Sequence, residues 1–497
     1  MKKLFFLLFW SSIATAQNLY VDVTFDNDGF KTIPSLSSAI PFDVLFQNGQ
    51  YLVPCRSGQI VALDEGGSLD AGFGNQGIAT ISVPDGVFFM SNYYRTPSHL
   101  YIVGYKNPSD NNDITRDVIV ARLTNAGVLD TTFGVGGVAR IDLGGNDAAN
   151  ALVVQNDGIF VLGTRRLTTD TKIFLLKLTG TGAVDTAYAT GGFKTFNLGT
   201  NLGFGNKILP YNGGYLLVGS STPGSENPNL ALIHIDTAGN LVTTFGIGGI
   251  RSVQLVSGTA SITIDGAQIG PDGKLYFAAR AASSFGSGGE TLTRLNIATG
   301  AIEQVVATYY QYPFFKVLAD GSILTTGANY CFNSPCDRGF ELRKLLPSLE
   351  SDPAFADSGN YRFIGFLPYG PGNDYQSTAF YIHEDGRIAI AGKLFSPYSQ
   401  TGNGFGMLRV GTSALNVNDN SIEKIHIIPS PASSYFEIKT PDNAVLEEVA
   451  LYNMQGRCVK IYRSSSRYNV DDLSEGVYIV RAAGTFGTWN GRLLKSK

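Results

Sequence analysis

The residues whose types could support catalysis or metal binding are few in this sequence of 497 residues. Its four histidines are His99, His234, His383 and His426, and none has a second histidine at the spacing of a zinc site. Neither a GxSxG nucleophile elbow nor an HExxH sequence occurs. The sequence therefore predicts no metal, no cofactor and no catalytic residues, and the four histidines are expected to have structural roles.

Aspartates recur at one position of a repeated phrase, and this recurrence argues against acid–base chemistry. Asp70, Asp130 and Asp185 each occupy the same place in their own copy. Because the copies are a whole repeat apart, their carboxylates are not expected to meet at one site. We expect each carboxylate to accept backbone N–H hydrogen bonds within its own turn. The DNDG segment at 26–29 resembles part of a calcium loop but lacks the remaining ligands.

The phrase that contains these aspartates is the main organising feature of the chain. Two clear copies are LDEGGSLDAGFGNQG at 63–77 and LTNAGVLDTTFGVGG at 123–137. Successive copies are about 55 residues apart, a period that suits a four-stranded propeller blade. Between them lies a second phrase, in which an Asn-Gly or Asp-Gly hairpin turn precedes an apolar strand, as in QNDGIFVLG at 155–163.

Each repeat is predicted to form four short strands, which in the third repeat lie near 148–155, 159–163, 172–178 and 192–197. Counting the hairpins gives seven repeats, and the last one lacks its fourth strand. An orphan fragment near Gly29 to Ile33 would supply that strand. The sequence thus predicts an all-β fold with a seven-bladed β-propeller over 17–412, in which the N-terminal strand closes the last blade.

The phrases VLDTTFGVGGVARI and QNDGIFVLG resemble the delta-60 repeat family of β-propellers. This resemblance extends over most of the chain that follows the N-terminal leader. It implies a propeller fold, and it implies neither an established activity nor catalytic residues.

The first 16 residues have the composition of a secretory signal peptide. Lys2 and Lys3 precede an apolar run, and Ala14-Thr15-Ala16 offers a cleavage site. A buried N-terminal strand is the alternative interpretation. No later run of about 18 apolar residues predicts a transmembrane segment. The net charge of −4 gives no reason to expect a nucleic-acid partner.

A polar linker at 413–424 leads to a C-terminal segment, 425–497, whose alternating strands predict a small Ig-like β-sandwich. This segment resembles the type A C-terminal sorting domain of the type IX secretion system, with Ser430 where the family has Asn. The resemblance implies export to the periplasm and then to the medium or the outer cell surface, with the secretion machinery as partner. The residues that carry the sorting motif are Pro429, Pro431, Gly456, Gly476, Tyr478 and Lys495.

Long, irregular loops are predicted on one face of the propeller and short turns on the other. Exposed tyrosines beside Asn and Asp suit contact with a carbohydrate or a protein, although they could instead pack on the ring. Cys331 and Cys336 enclose four residues in one of these loops, and export permits a disulfide between them. The predicted ligand-binding residues are Tyr330, Tyr369, Asp374, Tyr375 and Tyr398.

These features favour a non-catalytic binding, adhesion or structural protein. The alternative is a glycan-directed enzyme in the propeller funnel, because a glycoside hydrolase needs only two carboxylates roughly 5–10 Å apart. Two acidic side chains that converge in the funnel would favour the enzyme, whereas a funnel of Gly, Ser and aliphatic residues would argue against it. A passive spacer, whose loop face binds nothing, is a third hypothesis.

Overall fold

The computed structural model divides into two compact units, Met1–Ala414 and Leu415–Lys497, which we call unit 1 and unit 2. Regular structure is almost entirely β-strand, and the one helix among the residues described is a 3-10 turn, η1 (Thr190–Gly192). The described residues are 19–36, 39–84, 86–108, 116–155, 158–198, 202–222, 229–255, 261–282, 290–308, 310–329, 339–356, 359–363, 374–395, 404–411, 426–429, 431–439, 446–453, 458–463, 465, 467–484 and 487–496.

Unit 1 begins with two short strands, β1 (Tyr20–Val21) and β2 (Phe30–Ile33). A succession of antiparallel arrays follows. In chain order the arrays are β3 (Leu45–Gln47), β4 (Gln50–Cys55), β5 (Gln59–Asp64) and β6 (Ile78–Thr80); β7 (Gly86–Arg95), β8 (His99–Pro108), β9 (Asp117–Thr124) and β10 (Val138–Ile141); β11 (Asn146–Gln155), β12 (Gly158–Arg166), β13 (Thr171–Leu178) and β14 (Phe193–Phe196); β15 (Leu202–Tyr211), β16 (Gly214–Thr222), β17 (Asn229–Asp236) and β18 (Ile250–Gln254); β19 (Ser261–Ile269), β20 (Leu275–Ala282), β21 (Glu290–Leu295) and β22 (Ile302–Thr308); β23 (Tyr310–Val317), β24 (Ile323–Asn329), β25 (Phe340–Leu345) and β26 (Asn360–Phe363); and β27 (Asp374–Ile382), β28 (Ile388–Phe395) and β29 (Gly404–Gly411).

Strands within an array pair in chain order, so each array is an antiparallel meander. The third and fourth arrays are joined by one parallel pair, Thr171 with Leu202, and are therefore continuous as a sheet. The four strands expected in the third repeat correspond to β11 to β14, with bounds that differ by a few residues. This all-β succession of four-stranded arrays is propeller-like.

The N-terminal strand completes the last array, as expected. β2 pairs antiparallel with β29, with Phe30 opposite Leu408 and Ile33 opposite Phe405. β1 extends the same edge. The last array thereby gains the fourth strand that its own repeat lacks, and its outer edge is covered by the start of the chain.

The core of unit 1 lies between arrays. Leu52 of the first array clusters with Met90 and Ile102 of the second, and comparable apolar clusters join each later array to the next. A further cluster joins the last array to the first, with Met407 packed in the same core as Tyr51. Since both faces of an array are covered, its middle strands read as continuous apolar runs.

In four copies of the repeated phrase, the aromatic residue packs against a turn glycine of the next array. Phe73 and Phe133 are buried, and each ring lies against a turn glycine of the following array. Beside the Phe73 ring, the Gly74 amide donates to the Ala126 carbonyl at 2.7 Å. The aromatic–glycine pairs are Phe25 with Gly67, Phe73 with Gly127, Phe133 with Gly182, and Tyr188 with Gly239.

The repeated aspartate organises the turn that carries this aromatic residue. Asp130 Oδ1 accepts the Thr132 amide at 3.0 Å, as the sequence predicted, and Arg122 lies 2.8 Å from its other oxygen. These bonds from Thr132, with Arg122, lower the pKa of Asp130 to about 2. Equivalent ion pairs are Lys177 with Asp185, Lys344 with Asp352, and Arg409 with Asp22.

In the described part of unit 2, seven strands form two sheets, the first with three strands and the second with four. Phe436 and Ile438 of the first sheet share one core with Val449, Val480 and Leu493 of the second. The two sheets therefore pack face to face. The strands are β30 (His426–Ile428), β31 (Tyr435–Lys439), β32 (Leu446–Tyr452), β33 (Cys458–Arg463), β34 (Tyr468–Asn469), β35 (Gly476–Gly484) and β36 (Gly487–Lys495).

Substitution of a matched pair of glycines can test the contact between neighbouring arrays. Gly127 and Gly213 have nearly the same φ, +72° and +74°, so an alanine at either position suffers the same backbone strain. A Cβ at Gly127 would lie 2.7 Å from the Phe73 ring, whereas Gly213 has open space. We expect Gly127→Ala to lower the free energy of unfolding by about 1–3 kcal/mol more than Gly213→Ala does in urea titrations. Equal losses of unfolding free energy in the two variants would contradict a stabilising role for the close packing of Phe73 on Gly127.

Candidate functional site

Most residues of the predicted loop face lie outside the described part of the chain, namely Tyr330, Cys331, Cys336, Tyr369 and Tyr398. Asp374 and Tyr375 open β27, where they pair with Phe395 and Leu394. Their side chains are not among those described. The ligand-binding face and the Cys331–Cys336 disulfide therefore stay predictions.

The histidines whose side chains are described pack against neighbouring side chains. His383 Nε2 lies 2.6 Å from the Tyr51 hydroxyl, and burial, assisted by Arg387, lowers the pKa of His383. His99 lies 3.1 Å from Asp130, and His234 packs against aromatic rings. Within the described ranges, no three His, Cys, Asp or Glu side chains group so as to hold a metal ion.

The first strands of the arrays share an irregularity that the sequence analysis did not predict. Across the described ranges, β7, β11, β15, β19, β23 and β27 each shift register against their partner strands. Such a β-bulge adds a residue and redirects its side chain. In five strands a single residue is inserted and it is polar: Ser91, Asn150, Asn206, Asp265 and Thr378.

Charged side chains from several arrays meet beside these bulges. Lys207 of β15, in the fourth array, interacts electrostatically with Asp43, Arg56 and Asp265. Asp43 precedes β3 and Arg56 follows β4 of the first array, whereas Asp265 lies in the fifth, so the electrostatic interactions link arrays that are not all neighbours in the chain. We call the six charged residues that interact in this way the central cluster: Asp43, Arg56, Lys207, Asp265, Arg280 and Lys316.

Each carboxylate of the central cluster has a defined partner. Asp43 accepts hydrogen bonds from the Tyr93 hydroxyl at 2.7 Å and from the Val44 amide at 2.8 Å. Asp265 Oδ1 accepts from Arg280 at 3.0 Å. Burial nevertheless raises the pKa of Asp265. Its second oxygen, Oδ2, is buried without a hydrogen-bond partner.

The pKa values of the two lysines of the central cluster are both lowered. Burial lowers the pKa of Lys207, and the positive charge of Arg56 lowers it further. Burial likewise lowers the pKa of Lys316, whose ammonium lies 5.4–5.7 Å from the ring centres of Phe314, Phe380 and Tyr381. Neither ammonium has a hydrogen bond or an ion pair with any residue that the structure describes.

This arrangement is chemically suited to an anion. Four cationic side chains face two carboxylates in the central cluster, although the chain as a whole carries a net charge of −4. Sequence reasoning did not find the cluster because its members come from separate repeats and share no motif. The only available signal was a polar residue interrupting the apolar pattern of a first strand, as at Asn206 and Asp265.

The sorting-motif residues of unit 2 come together at one end of the chain. Ala432, next to Pro431, bridges to Lys495; its amide donates to the Leu494 carbonyl and its carbonyl accepts the Ser496 amide. Gly476 also pairs with Lys495. The Tyr478 hydroxyl donates to the Ser474 carbonyl at 2.8 Å. Pro429 and Pro431 are exposed, and Gly456 lies outside the described residues.

Comparison with family models matches residues 426–495 to the secretion system C-terminal sorting domain. This match confirms the sorting domain that the sequence predicted at the C-terminus. A type IX sorting tail implies secretion, so the protein is secreted or located at the outer cell surface. The helices described include none with the length and apolar character to cross a bilayer. A comparison with curated proteins gives no significant match.

Several solved structures are similar to the chain at low identity. The extracellular domain of the hybrid two component system BT3049 from B. thetaiotaomicron is 12% identical, with a TM-score of 0.39, over 94% of this chain. The chain spans 58% of that domain's length. Drosophila Semaphorin 2a is 9% identical, with a TM-score of 0.45, over 97% of this chain and 99% of its own. BamB from Moraxella catarrhalis is 12% identical, with a TM-score of 0.35. The similarity covers 75% of this chain and 85% of BamB.

One further carboxyl group, Asp147 of β11, is buried outside the central cluster. Asp147 is 0% exposed. Its Oδ2 accepts a hydrogen bond from the Leu143 amide at 2.9 Å, and its Oδ1 has no hydrogen-bond partner in the structure. Burial raises the pKa of Asp147 to about 6. The folded protein therefore holds a proton here at pH values where the unfolded chain has released it.

This pKa shift makes a prediction about pH. Between about pH 4 and pH 7 the folded state binds more protons than the unfolded state, so stability falls as the pH rises. We expect Asp147→Asn to remove a fall of about 2–3 kcal/mol in the free energy of unfolding over this range. The exposed Glu384, changed to Gln, is the control and should keep the fall, because it is distant in sequence and does not contribute to the raised pKa of Asp147. Parallel curves for wild type and Asp147→Asn in urea titrations would contradict the prediction.

Proposed function

We propose that the protein is an exported ligand-binding propeller, delivered to the medium or the outer cell surface by its C-terminal sorting domain. The observation that carries this proposal is the family match over 426–495. In this proposal residues 1–16 are the signal peptide, 413–424 form the linker, and 425–497 form an Ig-like β-sandwich that the type IX machinery recognises.

We infer that unit 1 is a seven-bladed ring of the delta-60 type over 17–412. Six complete arrays and the last array, completed by β2, supply the blades. The apolar cluster shared by Tyr51 and Met407 joins the last blade to the first. Where the last blade meets the first, the Phe25 ring packs against Gly67, in the same kind of contact that Phe73 makes with Gly127. The charge interaction of Lys207 with Asp43, across blades, fits first strands that surround a common axis.

Binding rather than catalysis is the function that the central cluster supports best. Asp43 and Asp265 are each engaged, by Tyr93 and by Arg280. Within the cluster the cations outnumber the carboxylates, and a local excess of positive charge attracts anions. The loop face with its tyrosines remains a second proposed contact surface, for a carbohydrate or a protein.

A glycan-directed enzyme is the second candidate, and one observation favours it. Asp43 and Asp265 both interact electrostatically with Lys207. The raised pKa of Asp265 suits a general acid, as in glycosidases that pair a protonated with an ionised carboxyl group. In that case Asp265 would protonate the leaving group and Asp43 would be the second carboxylate.

Removal of the sorting domain tests the proposed export route. We expect a chain lacking 425–497 to fold and to accumulate in the periplasm, because the signal that the type IX machinery reads is gone. Immunoblots of periplasm, surface and medium measure this distribution. In the matched control, a periplasmic reporter that carries 413–497 at its C-terminus should leave the cell. Release of the truncated chain to the medium would contradict the proposal.

A glycan array with the mature protein separates the loop face from the funnel. If the loop face binds, the combined change of Tyr330, Tyr369 and Tyr398 to Ala should abolish retention. The exposed Tyr20, changed to Ala, is the control and should not affect it. If the enzyme hypothesis holds, retained glycans are cleaved and Asp265→Asn stops the cleavage. Retention unaffected by the tyrosine changes would remove the loop face from the proposal.

A further inference from the structure

The start of the chain meets the last array and the first array around a buried side chain, Arg409 of β29. Its guanidinium is 2% exposed, lies 2.7 Å from Asp22 and donates to the Thr24 hydroxyl at 2.8 Å. It also lies 5.0 Å from the centre of the Phe25 ring and donates to the Tyr51 hydroxyl of β4 at 3.4 Å. We call this group of contacts the seam.

A buried histidine of the last array contacts the seam. His383 follows β27 and is 7% exposed, and its Nε2 lies 2.6 Å from the Tyr51 hydroxyl. Its ring packs among aromatic side chains, with ring centres 4.6 Å from Phe46, 5.1 Å from Tyr381 and 5.4 Å from Tyr51. Within the described ranges, the Tyr51 hydroxyl is the polar partner of this imidazole.

The hydrogen bonds at the Tyr51 hydroxyl suit a neutral His383. An arginine side chain can only donate, so the bond from Arg409 uses the Tyr51 oxygen as its acceptor. The Tyr51 proton then donates to His383 Nε2, which must itself carry no proton. If Nε2 binds a proton, two donors face the same oxygen and the Tyr51 proton loses its acceptor. A buried donor that loses its acceptor destabilises the contact.

The charges around His383 do not compensate an added proton. Arg387 and Arg409 are both cationic, and burial, assisted by these two arginines, lowers the pKa of His383. The Tyr381 ring also contacts a cation, the Lys316 ammonium, at 5.4 Å from the ring centre. The carboxylates of this region are each paired with an arginine: Asp385 and Glu65 with Arg387, and Asp22 with Arg409.

We propose that His383 is an acid-sensitive switch for the closure of unit 1. When its ring binds a proton, the hydrogen bonds that join Tyr51 to Arg409 weaken, and segment 19–33 separates from β29. The separated form binds this proton near the ordinary histidine pKa of about 6.5, whereas the closed form binds it only at a lower pH. The stability of the seam therefore falls as the pH drops below about 7.

The aspartates near the seam do not share this response. Burial opposes ionisation of Asp22 and Asp385, but hydrogen bonds and the arginine charges lower both pKa values, so both stay ionised above pH 5. Asp147 responds with the opposite sign, so the seam must be measured locally. The inference rests on contacts between the last and first arrays, and it requires neither export nor ligand binding.

Hydrogen exchange of backbone amides tests the inference, measured by mass spectrometry on the purified mature chain at pH 7 and pH 5. After correction for intrinsic exchange rates, we expect protection over 19–33 and 404–411 to be about tenfold lower at pH 5, since a pKa difference of one unit changes an equilibrium tenfold. Peptides over 275–282, in β20 of the fifth array, should keep their protection. An equal loss in β20, or no loss at the seam, would overturn the inference.

Substitution of His383 by Gln tests the role of its ring, because the glutamine oxygen can accept the Tyr51 hydroxyl and does not titrate. We expect His383→Gln to have the same seam protection at both pH values. His234→Gln is the matched control, since His234 of β17 is 6% exposed and packs against Tyr211 and Phe245. This control should retain the tenfold loss. A loss that persists in folded His383→Gln would overturn the role of His383.

Far-UV circular dichroism checks that both variants are folded. The comparison of the seam with β20 in the wild-type chain needs neither variant, so the inference can be refuted even if His383→Gln does not fold.

Discussion

In four copies of the repeated phrase an aromatic ring packs against the turn glycine of the next array, and the association of neighbouring arrays in unit 1 depends on contacts of this kind. A four-stranded array with two apolar faces cannot remain in water, so each array needs a neighbour on both sides. The ring of Phe73 against Gly127 fixes how closely two arrays approach, because only glycine leaves the space and accepts the positive φ. The same contact by Phe25 brings the start of the chain to the first array.

Closure concentrates polar interactions at the point where the two ends of unit 1 meet. Arg409 of β29 is 2% exposed, lies 2.7 Å from Asp22 and donates to the Glu65 carbonyl and the Thr24 hydroxyl. Thr24 and Arg409 lower the pKa of Asp22 although burial opposes them. A buried ion pair with this many hydrogen bonds fixes one register for β2 against β29.

The central cluster follows from this closure. Polar bulge residues such as Asn206 and Asp265 are not members of the apolar cluster between their arrays. Lys207 of the fourth array interacts electrostatically with Asp43, which precedes the first strand of the first array, so residues far apart in the sequence contribute to one cluster. A rigid scaffold of this kind holds charged groups at fixed positions without a ligand, and a sorting domain on the same chain delivers that scaffold outside the cell.

The sequence by itself determined what is encoded locally and repeated: the strands, the turn role of Asp130, the completion of the last array by β2, and the sorting domain at 426–495. Each depends on neighbouring residues or on a pattern that recurs, so periodicity and turn chemistry were enough to predict it. Only the tertiary structure decided the central cluster. Asp43, Lys207 and Asp265 come from different repeats, occur once each, and meet because bulges and closure set their positions, which no local pattern records.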